Sequence, residues 1–209
     1  ATSASSIAEN AGSSLTLTAT LSVVTTADVT VGISTSGTGT EGTDYSTISD
    51  ITIVAGQTTG TASFTPTDDS VYEGNETGIV AISTVSGGSA TEDGNQSVTI
   101  TINENESSPT VTLTTSASSI AENAGSSLTL TATISQVADE DITVTIGTAG
   151  TSTEGTDYTD GSGAVDDITI SAGNTTGTVN FTPTDDSVYE RDETAIISID
   201  GVSGADATE

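Results

Sequence analysis

The sequence lacks most of the side chains on which enzyme active sites and nucleic-acid interfaces depend. Its 209 residues include no His, Cys, Met or Trp, and Arg191 is the only Lys or Arg against 30 Asp and Glu. The absence of His and Cys excludes imidazole and thiol catalysis and the usual zinc or copper ligands. The formal net charge of −29 excludes nucleic acid and anionic membrane surfaces as direct partners.

Long apolar runs and aromatic residues are also scarce. No apolar run approaches the ~18 residues of a membrane span, so we expect no direct membrane insertion. If the protein is exported, we expect its signal segment to lie outside these residues. Four Tyr and two Phe cannot line the sugar cleft that a glycosidase built on paired carboxylates would need. We therefore expect that the chain is not an enzyme.

The chain is a tandem repeat. SASSIAENAGSSLTLTAT at residues 3–20 recurs unchanged at 116–133, and FTPTDDSVYE at 64–73 recurs at 181–190. A repeat of this length is typical of whole domains in series rather than of a solenoid. We predict two domains, at residues 1–106 and 107–209. The seam NENESSP is short and has no Gly-rich stretch, which predicts closely held neighbours.

Within each repeat, apolar residues alternate with small polar residues. The segments SLTLTATL (14–21) and QSVTITI (96–102) show this pattern, and clusters of Gly, Asn and Asp separate such segments. Alternation with a period of two, without any helical period, predicts strands that have one buried and one Thr-rich, wet face. The predicted fold class is all-β, with two tandem antiparallel Greek-key β-sandwiches of the immunoglobulin or fibronectin-III-like kind.

The chain ends are out of phase with the repeats. The first repeat lacks most of the strand predicted at TVTLT (110–114), and the second lacks any counterpart of QSVTITI (96–102). An unpaired sheet edge exposes backbone donors and acceptors, which proteins normally avoid. Either these residues are a window from a continuous array, which we favour, or an adjacent chain supplies the strand by β-augmentation. On the first explanation, the second repeat is expected to be the less stable half.

Carboxylates gather in the segments between the strands. The run DDSVYE is identical in both repeats, whereas neighbouring residues such as Gly74 and Arg191 differ, which favours a constraint on the run. Two carboxylates about 5 Å apart repel by roughly 3 kcal/mol at an effective dielectric near 20, and no lysine is present to neutralise them. An oxygen-only, loop-borne ligand set suits Ca²⁺ better than Mg²⁺, which demands a rigid octahedral geometry. The pattern therefore predicts calcium binding.

Each repeat resembles the Calx-beta domain, the calcium-binding β-sandwich of sodium–calcium exchangers and many bacterial surface proteins. The motifs that carry the resemblance are IAENAG, GTDY, FTPTDD, VYEGNE and SVTITINENE, in that order. They cover nearly the whole chain. One departure is that the exchanger-type terminal run is all Asp, whereas this chain has Asn103-Glu104-Asn105-Glu106. The second repeat stops before any such run.

The resemblance implies a ligand set from four places in each domain. In the first repeat the implied metal ligands are Glu9, Asp44, Asp68, Asp69, the Val71 carbonyl, Glu73, Glu76, Glu104 and Glu106. In the second repeat they are Glu122, Asp157, Asp185, Asp186, the Val188 carbonyl, Glu190 and Glu193. Two further acidic residues, Glu41 and Glu154, are interpreted as solvated turn residues.

The resemblance also implies a function. We expect calcium-stiffened structural repeat modules of a long extracellular, cell-surface protein, acting as a stalk, an adhesin or a filament. The expected partners are the neighbouring repeat domains, with strand exchange from an adjacent chain as a second possibility. Two alternatives stay open: a calcium-sensing regulatory module like those of sodium–calcium exchangers, and an accessory module of a large secreted hydrolase.

Overall fold

The computed structural model describes all of the residues, Ala1–Glu209, which form strands, turns and loops. The prediction of an all-β chain is confirmed. The chain divides into two compact units: the first comprises Ala1–Asp69 and Gly74–Asn105, and the second comprises Ser70–Glu73 and Glu106–Glu209. The domain limits 1–106 and 107–209 stay a prediction. The chain forms no helix of the length and apolar character that crossing a bilayer requires.

The first unit contains seven strands in two sheets. They are β1 (Ser6–Ala8), β2 (Leu15–Thr20), β3 (Val29–Gly37), β4 (Ile51–Ile53), β5 (Thr59–Phe64), β6 (Glu76–Ser86) and β7 (Ser97–Asn103). The larger sheet has the order β1-β7-β6-β3-β4, and β2 pairs with β5 in the other. All these pairs are antiparallel except β1 with β7, which is parallel, a detail that the sequence pattern does not reveal.

The second unit repeats this arrangement with differences at its edges. Its strands are β8 (Val111–Thr115), β9 (Leu128–Ile134), β10 (Ile142–Gly150), β11 (Tyr158–Thr159), β12 (Ile168–Ile170), β13 (Thr176–Pro183) and β14 (Ala195–Ser203). One sheet has the order β12-β10-β14 and the other β11-β13-β9-β8. All of these pairs are antiparallel, as predicted.

The cores follow from the alternating pattern. In β4, Ile51 and Ile53 are buried while Thr52 between them is exposed, because successive strand residues face opposite sides of a sheet. Each core also contains a stacked aromatic pair: Tyr45 on Phe64 in the first unit, with ring centroids 4.6 Å apart, and Tyr158 on Phe181 in the second, at 4.5 Å. Burying one large apolar side chain contributes ~1.5–3 kcal/mol, so the few aromatic residues are concentrated where they stabilise most.

One acidic residue in each unit completes a β-bulge. The β3–β6 ladder shifts register between Gly32 and Ile33, and the Ile33 N–H donates to the Asp50 carboxylate at 2.9 Å. The β10–β14 ladder shifts at the corresponding place, and there the Ile146 N–H donates to Asp167 at 3.0 Å. A bulge leaves backbone groups out of the ladder. These carboxylates therefore have a structural role.

The sheet edges differ between the units. In the first unit β6 lies between β3 and β7, whereas in the second β14 pairs with β10 alone. Residues 119–121, which correspond to β1, form no strand, whereas β1 itself pairs with β7. In the first unit, Thr2 forms an isolated antiparallel bridge with Leu17. These two residues correspond to Thr115 and Leu130, which pair between β8 and β9 in the second unit.

The open edge of β14 predicts a difference in hydrogen exchange. The β14 amides that point away from β10 have no partner strand, whereas residues 78–81 of β6 lie between β3 and β7 and pair with both. We expect the outward β14 amides to exchange much faster than the amides of residues 78–81 in β6, with exchange measured by NMR. Equal protection of the two strands would show that the edge is covered in solution.

Candidate metal centre

The GTDY motif contributes one aspartate to each candidate site, Asp44 in the first unit and Asp157 in the second. The Asp44 carboxylate accepts a hydrogen bond from the Thr40 N–H, and its carbonyl accepts one from the Thr67 N–H at 2.9 Å. Asp157 repeats both contacts, with the Thr153 N–H at 2.6 Å and the Thr184 N–H at 2.9 Å. These bonds hold each aspartate against the segment that precedes the DDSVYE run. Asp44 is only 9% exposed.

The glutamate of the IAEN motif reaches the same run. Glu9 follows β1, is 5% exposed, and accepts the Asp69 N–H at 3.2 Å. In the second unit Glu122 accepts the Asp186 N–H at 3.0 Å. The contact thus recurs at equivalent residues in both units, although the two partners are about 60 residues apart in sequence.

The loop after β7 supplies a third group of contacts in the first unit. The Glu104 carboxylate accepts the Gly74 N–H at 2.9 Å, and the Glu104 N–H donates to the Asn75 side chain at 3.0 Å. The Asn10 N–H donates to the Asn105 side chain at 3.1 Å. This loop therefore joins the IAEN and GNE segments. The residues up to Glu209 include no counterpart of this loop.

Carboxylate oxygens from different loops come close together. Glu9 and Glu104 offer oxygens within 4.8 Å of each other, and so do Asp44 and Glu76. In the second unit, Asp157, Glu190 and Glu193 offer three oxygens that all lie within 4.8 Å of one another. We call this last group the second-unit cluster. Two oxygens bound to one Ca²⁺ at 2.3–2.6 Å are at most about 5 Å apart, so the spacing fits a shared ion.

The other predicted ligands lie outside these groups of close carboxylate oxygens or in the other compact unit. Asp68 and Asp69 are exposed but lie close enough to Glu9 to raise its pKa. Glu122 and Asp186 raise the pKa of Glu190 in the same way. Asp185 and Val188 are exposed and are not members of the second-unit cluster. Glu73 and Val71, which are half-buried, belong to the second compact unit together with Glu106.

Negative charge is concentrated at both sites. Burial raises the pKa of Glu9, and the charges of Glu104, Asp69 and Asp68 raise it further, although the hydrogen bond from the Asp69 N–H acts in the opposite direction. Desolvation and the Asp157 charge raise the pKa values of Glu190 and Glu193. Carboxylates that are hard to ionise together, with oxygen as the only ligand atom, are the donor set that a hard divalent cation neutralises.

Glu41 and Glu154, which we interpreted from the sequence as solvated turn residues, are half-buried. Glu41 accepts hydrogen bonds from the Ile48 N–H at 2.7 Å and the Thr35 hydroxyl at 2.6 Å. Glu154 accepts them from the Val165 N–H at 2.7 Å and the Thr148 hydroxyl at 3.0 Å. The interpretation as solvated residues was wrong. These carboxylates fasten the loops behind the GTDY turns, and only the structure shows which distant N–H they reach.

The sequence matches the family model of the Calx-beta domain twice, at residues 3–106 and 104–208. The two matches together cover almost the whole chain. The chain therefore belongs to the Calx-beta family and carries two such domains in tandem, as the motif resemblance indicated.

Solved structures that are similar to this chain include two crystal structures of CBD12. The one from CALX1.2 is 18% identical over 85% of this chain and 71% of that chain, with a TM-score of 0.41. The calcium binding domain CBD12 of CALX1.1 is 17% identical over 84% and 70%, with a TM-score of 0.43. The Yersinia pseudotuberculosis adhesin InvE is 16% identical over 87% of this chain and 49% of that chain, with a TM-score of 0.37. A search of the curated proteins found no match.

The raised pKa values predict an effect of pH in the absence of calcium. The pKa values of Glu190 and Glu193 lie above the ordinary 4.5 in the folded chain, so the folded state binds their protons more tightly than the unfolded state does. Their stabilising contribution is complete below pH 4.5 and is lost as the pH rises through the raised pKa values. We expect the double variant E190Q/E193Q in excess chelator to match the wild-type melting temperature near pH 4 and to exceed it at pH 7. A difference that does not change with pH would contradict this account.

Proposed function

We propose that the chain is a pair of calcium-binding structural modules from an extracellular surface protein, in which they act as stalk, adhesin or filament segments. The observation that carries the proposal is the convergence of carboxylates from separate loops, repeated at equivalent residues in both units. Family membership supports the same proposal. The chain has no His, Cys or Lys that could act as a base or a nucleophile.

The residues of each unit fit the ion. In the first unit, Glu9, Asp44, Glu76 and Glu104 would hold calcium, with Asp68 and Asp69 beside them. In the second unit, the second-unit cluster would hold it, with Glu122 and Asp186 nearby. The Val71 and Val188 carbonyls stay predicted ligands. Calcium supplies two positive charges and a set of bonds to oxygen, and no other chemistry is required of it.

Binding would stiffen the module because the ligands come from distant parts of the sequence. Glu9 and Glu104 lie at opposite ends of the first unit's sequence, so an ion that binds both closes a long loop. The backbone hydrogen bonds to Asp44, Glu9 and Glu104 already hold these side chains in place. The ion would therefore cross-link preorganised loops. In an array of such modules, the remaining negative charge would keep neighbouring filaments apart and soluble.

Calcium is expected to raise the melting temperature. At a hundred times its dissociation constant, an ion adds about 2.7 kcal/mol of stability per independent site. We expect E190Q/E193Q to lose the part of this gain that belongs to the second unit, although the same variant is more stable than wild type in chelator at pH 7. Differential scanning calorimetry with calcium, magnesium and chelator measures both effects.

Asp192→Asn is the matched control for that experiment. Asp192 is exposed in the same loop and lies outside the second-unit cluster, so its substitution removes a charge without removing a clustered ligand. We expect it to keep the full calcium response. Equal losses in D192N and E190Q/E193Q would mean that calcium screens charge in general, and identical melting in chelator and calcium would exclude the site.

Unequal burial of the two sites favours a second candidate, a calcium sensor. Glu9 and Asp44 are almost fully buried, whereas Glu190 and Glu193 are exposed. Charges that are shielded from water attract an ion more strongly, so the first unit is expected to bind more tightly. Isothermal titration calorimetry separates the candidates: dissociation constants of roughly 10⁻⁴–10⁻³ M are typical of extracellular modules, and roughly 10⁻⁷–10⁻⁵ M of sensors. Dissociation constants in the sensor range at both sites would contradict the structural role.

A further inference from the structure

A tyrosine from the DDSVYE run forms part of the second unit's core. Tyr72, in the segment Ser70–Glu73 of that unit, is 7% exposed. Its N–H donates to the Val137 carbonyl at 2.9 Å, its carbonyl accepts the Asp139 N–H at 3.2 Å, and it pairs in parallel with Ala138. Its hydroxyl donates to the Asp206 carboxylate at 2.9 Å. The tyrosine is therefore bound by its backbone, its ring and its hydroxyl.

The equivalent tyrosine of the second repeat makes none of these contacts. Tyr189 is 91% exposed, and Val188 beside it is 61% exposed. They occupy the same positions of an identical SVYE sequence, and the Val188 N–H donates to Asp186 at 2.6 Å, which fixes the base of this tip. The Val188–Tyr189 tip therefore places two large apolar side chains in water, in a chain that has few such residues to spare.

The first unit contains a surface that matches the one bound by Tyr72. Residues 23–27 (VVTTA) of the first unit correspond to residues 136–140 of the second. We call residues 23–27 the receptor edge. Its backbone has the same local form, since the Gly56 N–H donates to Thr25 at 2.9 Å as the Gly173 N–H donates to Ala138 at 2.9 Å. Val23 and Val24 are 68% and 60% exposed.

The first unit also has counterparts of the polar groups that bind Tyr72. The Val24 carbonyl and the Thr26 N–H correspond to the two groups that bind the Tyr72 backbone, and no protein group is hydrogen-bonded to either. Ser89 corresponds to Asp206, and both adopt a left-handed backbone conformation, with φ of 57° and 49°. A serine hydroxyl can accept the tyrosine hydroxyl as a carboxylate does. Together with Ser89, the receptor edge thus offers an apolar strip, one donor and two acceptors.

We propose that the Val188–Tyr189 tip of one copy of this chain docks on the receptor edge of the first unit of a second copy, in the arrangement that Tyr72 has within the second unit. The contact is heterologous, because the tip and the edge are different surfaces, so its repetition joins copies head to tail into a ring or an open filament. The docking is an activity beyond calcium binding.

Charge favours contact between the tip and the receptor edge over contact between two acidic tips. The tip is flanked by Asp185, Asp186 and Glu190, whereas residues 10–27 contain no acidic residue at all. Thr26 and Ala27 stand where the second unit has Asp139 and Glu140. The receptor edge is therefore an uncharged segment of a chain of net charge −29, and an acidic tip meets less repulsion there than beside the equivalent Asp139 and Glu140. The contact is small, so we expect weak association that shows at high protein concentration.

Disulfide trapping tests the proposal in a chain that has no cysteine of its own. Because Tyr72 pairs in parallel with Ala138, Val71 lies beside Val137, and the counterparts of these two residues are Val188 and Val24. Neighbouring strands place Cα atoms within the range that a disulfide spans. We expect a mixture of V188C and V24C chains to form mixed disulfide dimers, measured by mass spectrometry, at least tenfold faster than a mixture of V188C and V54C.

Two controls make the outcome decisive. Val54 is 55% exposed and lies outside the receptor edge, so it matches Val24 in access to solvent. Adding Tyr189→Ala to the V188C chain keeps the thiol and removes the ring, and we expect the advantage over V54C to disappear. A rate advantage below tenfold, or an advantage that survives Y189A, would overturn the proposal, since random collision would then explain the cross-link.

Discussion

Repulsion among carboxylates that have no cationic partner shapes this protein more than any other interaction. With one arginine against 30 acidic residues, the chain cannot build ion pairs, and yet it brings acidic side chains from separate loops to within 4.8 Å. Hydrogen bonds from the backbone hold them there, as between Glu9 and the Asp69 N–H. Such bonds compensate only part of the cost of confining like charges. The remaining electrostatic field is what a divalent cation would neutralise.

The acidic residues divide into two groups by what they contact. Asp50 and Asp167 complete β-bulges, Asp28 and Asp141 accept the N–H of Ala55 and Ala172 at 2.8 Å, and Glu41 and Glu154 fasten loops. These carboxylates act as acceptors for backbone N–H groups that the strand ladders leave unpaired. The clustered residues differ because their nearest polar neighbours include other carboxylates. Acidic content alone therefore overstates the number of metal ligands.

Much of the fold could be predicted from the sequence, because alternation of Ile, Val and Leu with Thr determines which strand face is buried. The parallel pairing of β1 with β7 could not, since it depends on a contact over about 95 residues. The cluster members were predictable by motif, but the buried roles of Glu41 and Glu154 depend on which loop N–H lies within reach. The different environments of Tyr72 and Tyr189 are also hidden in the sequence, because the same SVYE run surrounds both.

Carbon-13 NMR of the side-chain carboxylates during a calcium titration tests the central claim most directly, because it observes each acidic group by itself. We predict saturable shifts for the carboxylate carbons of Glu9, Asp44 and the second-unit cluster. We predict no saturable shift for the carboxylates that bind backbone N–H groups, namely Asp28, Asp50, Asp141 and Asp167. Small shifts of every carboxylate in proportion to calcium, without saturation, would contradict the account, since they would show that calcium only screens the surface charge.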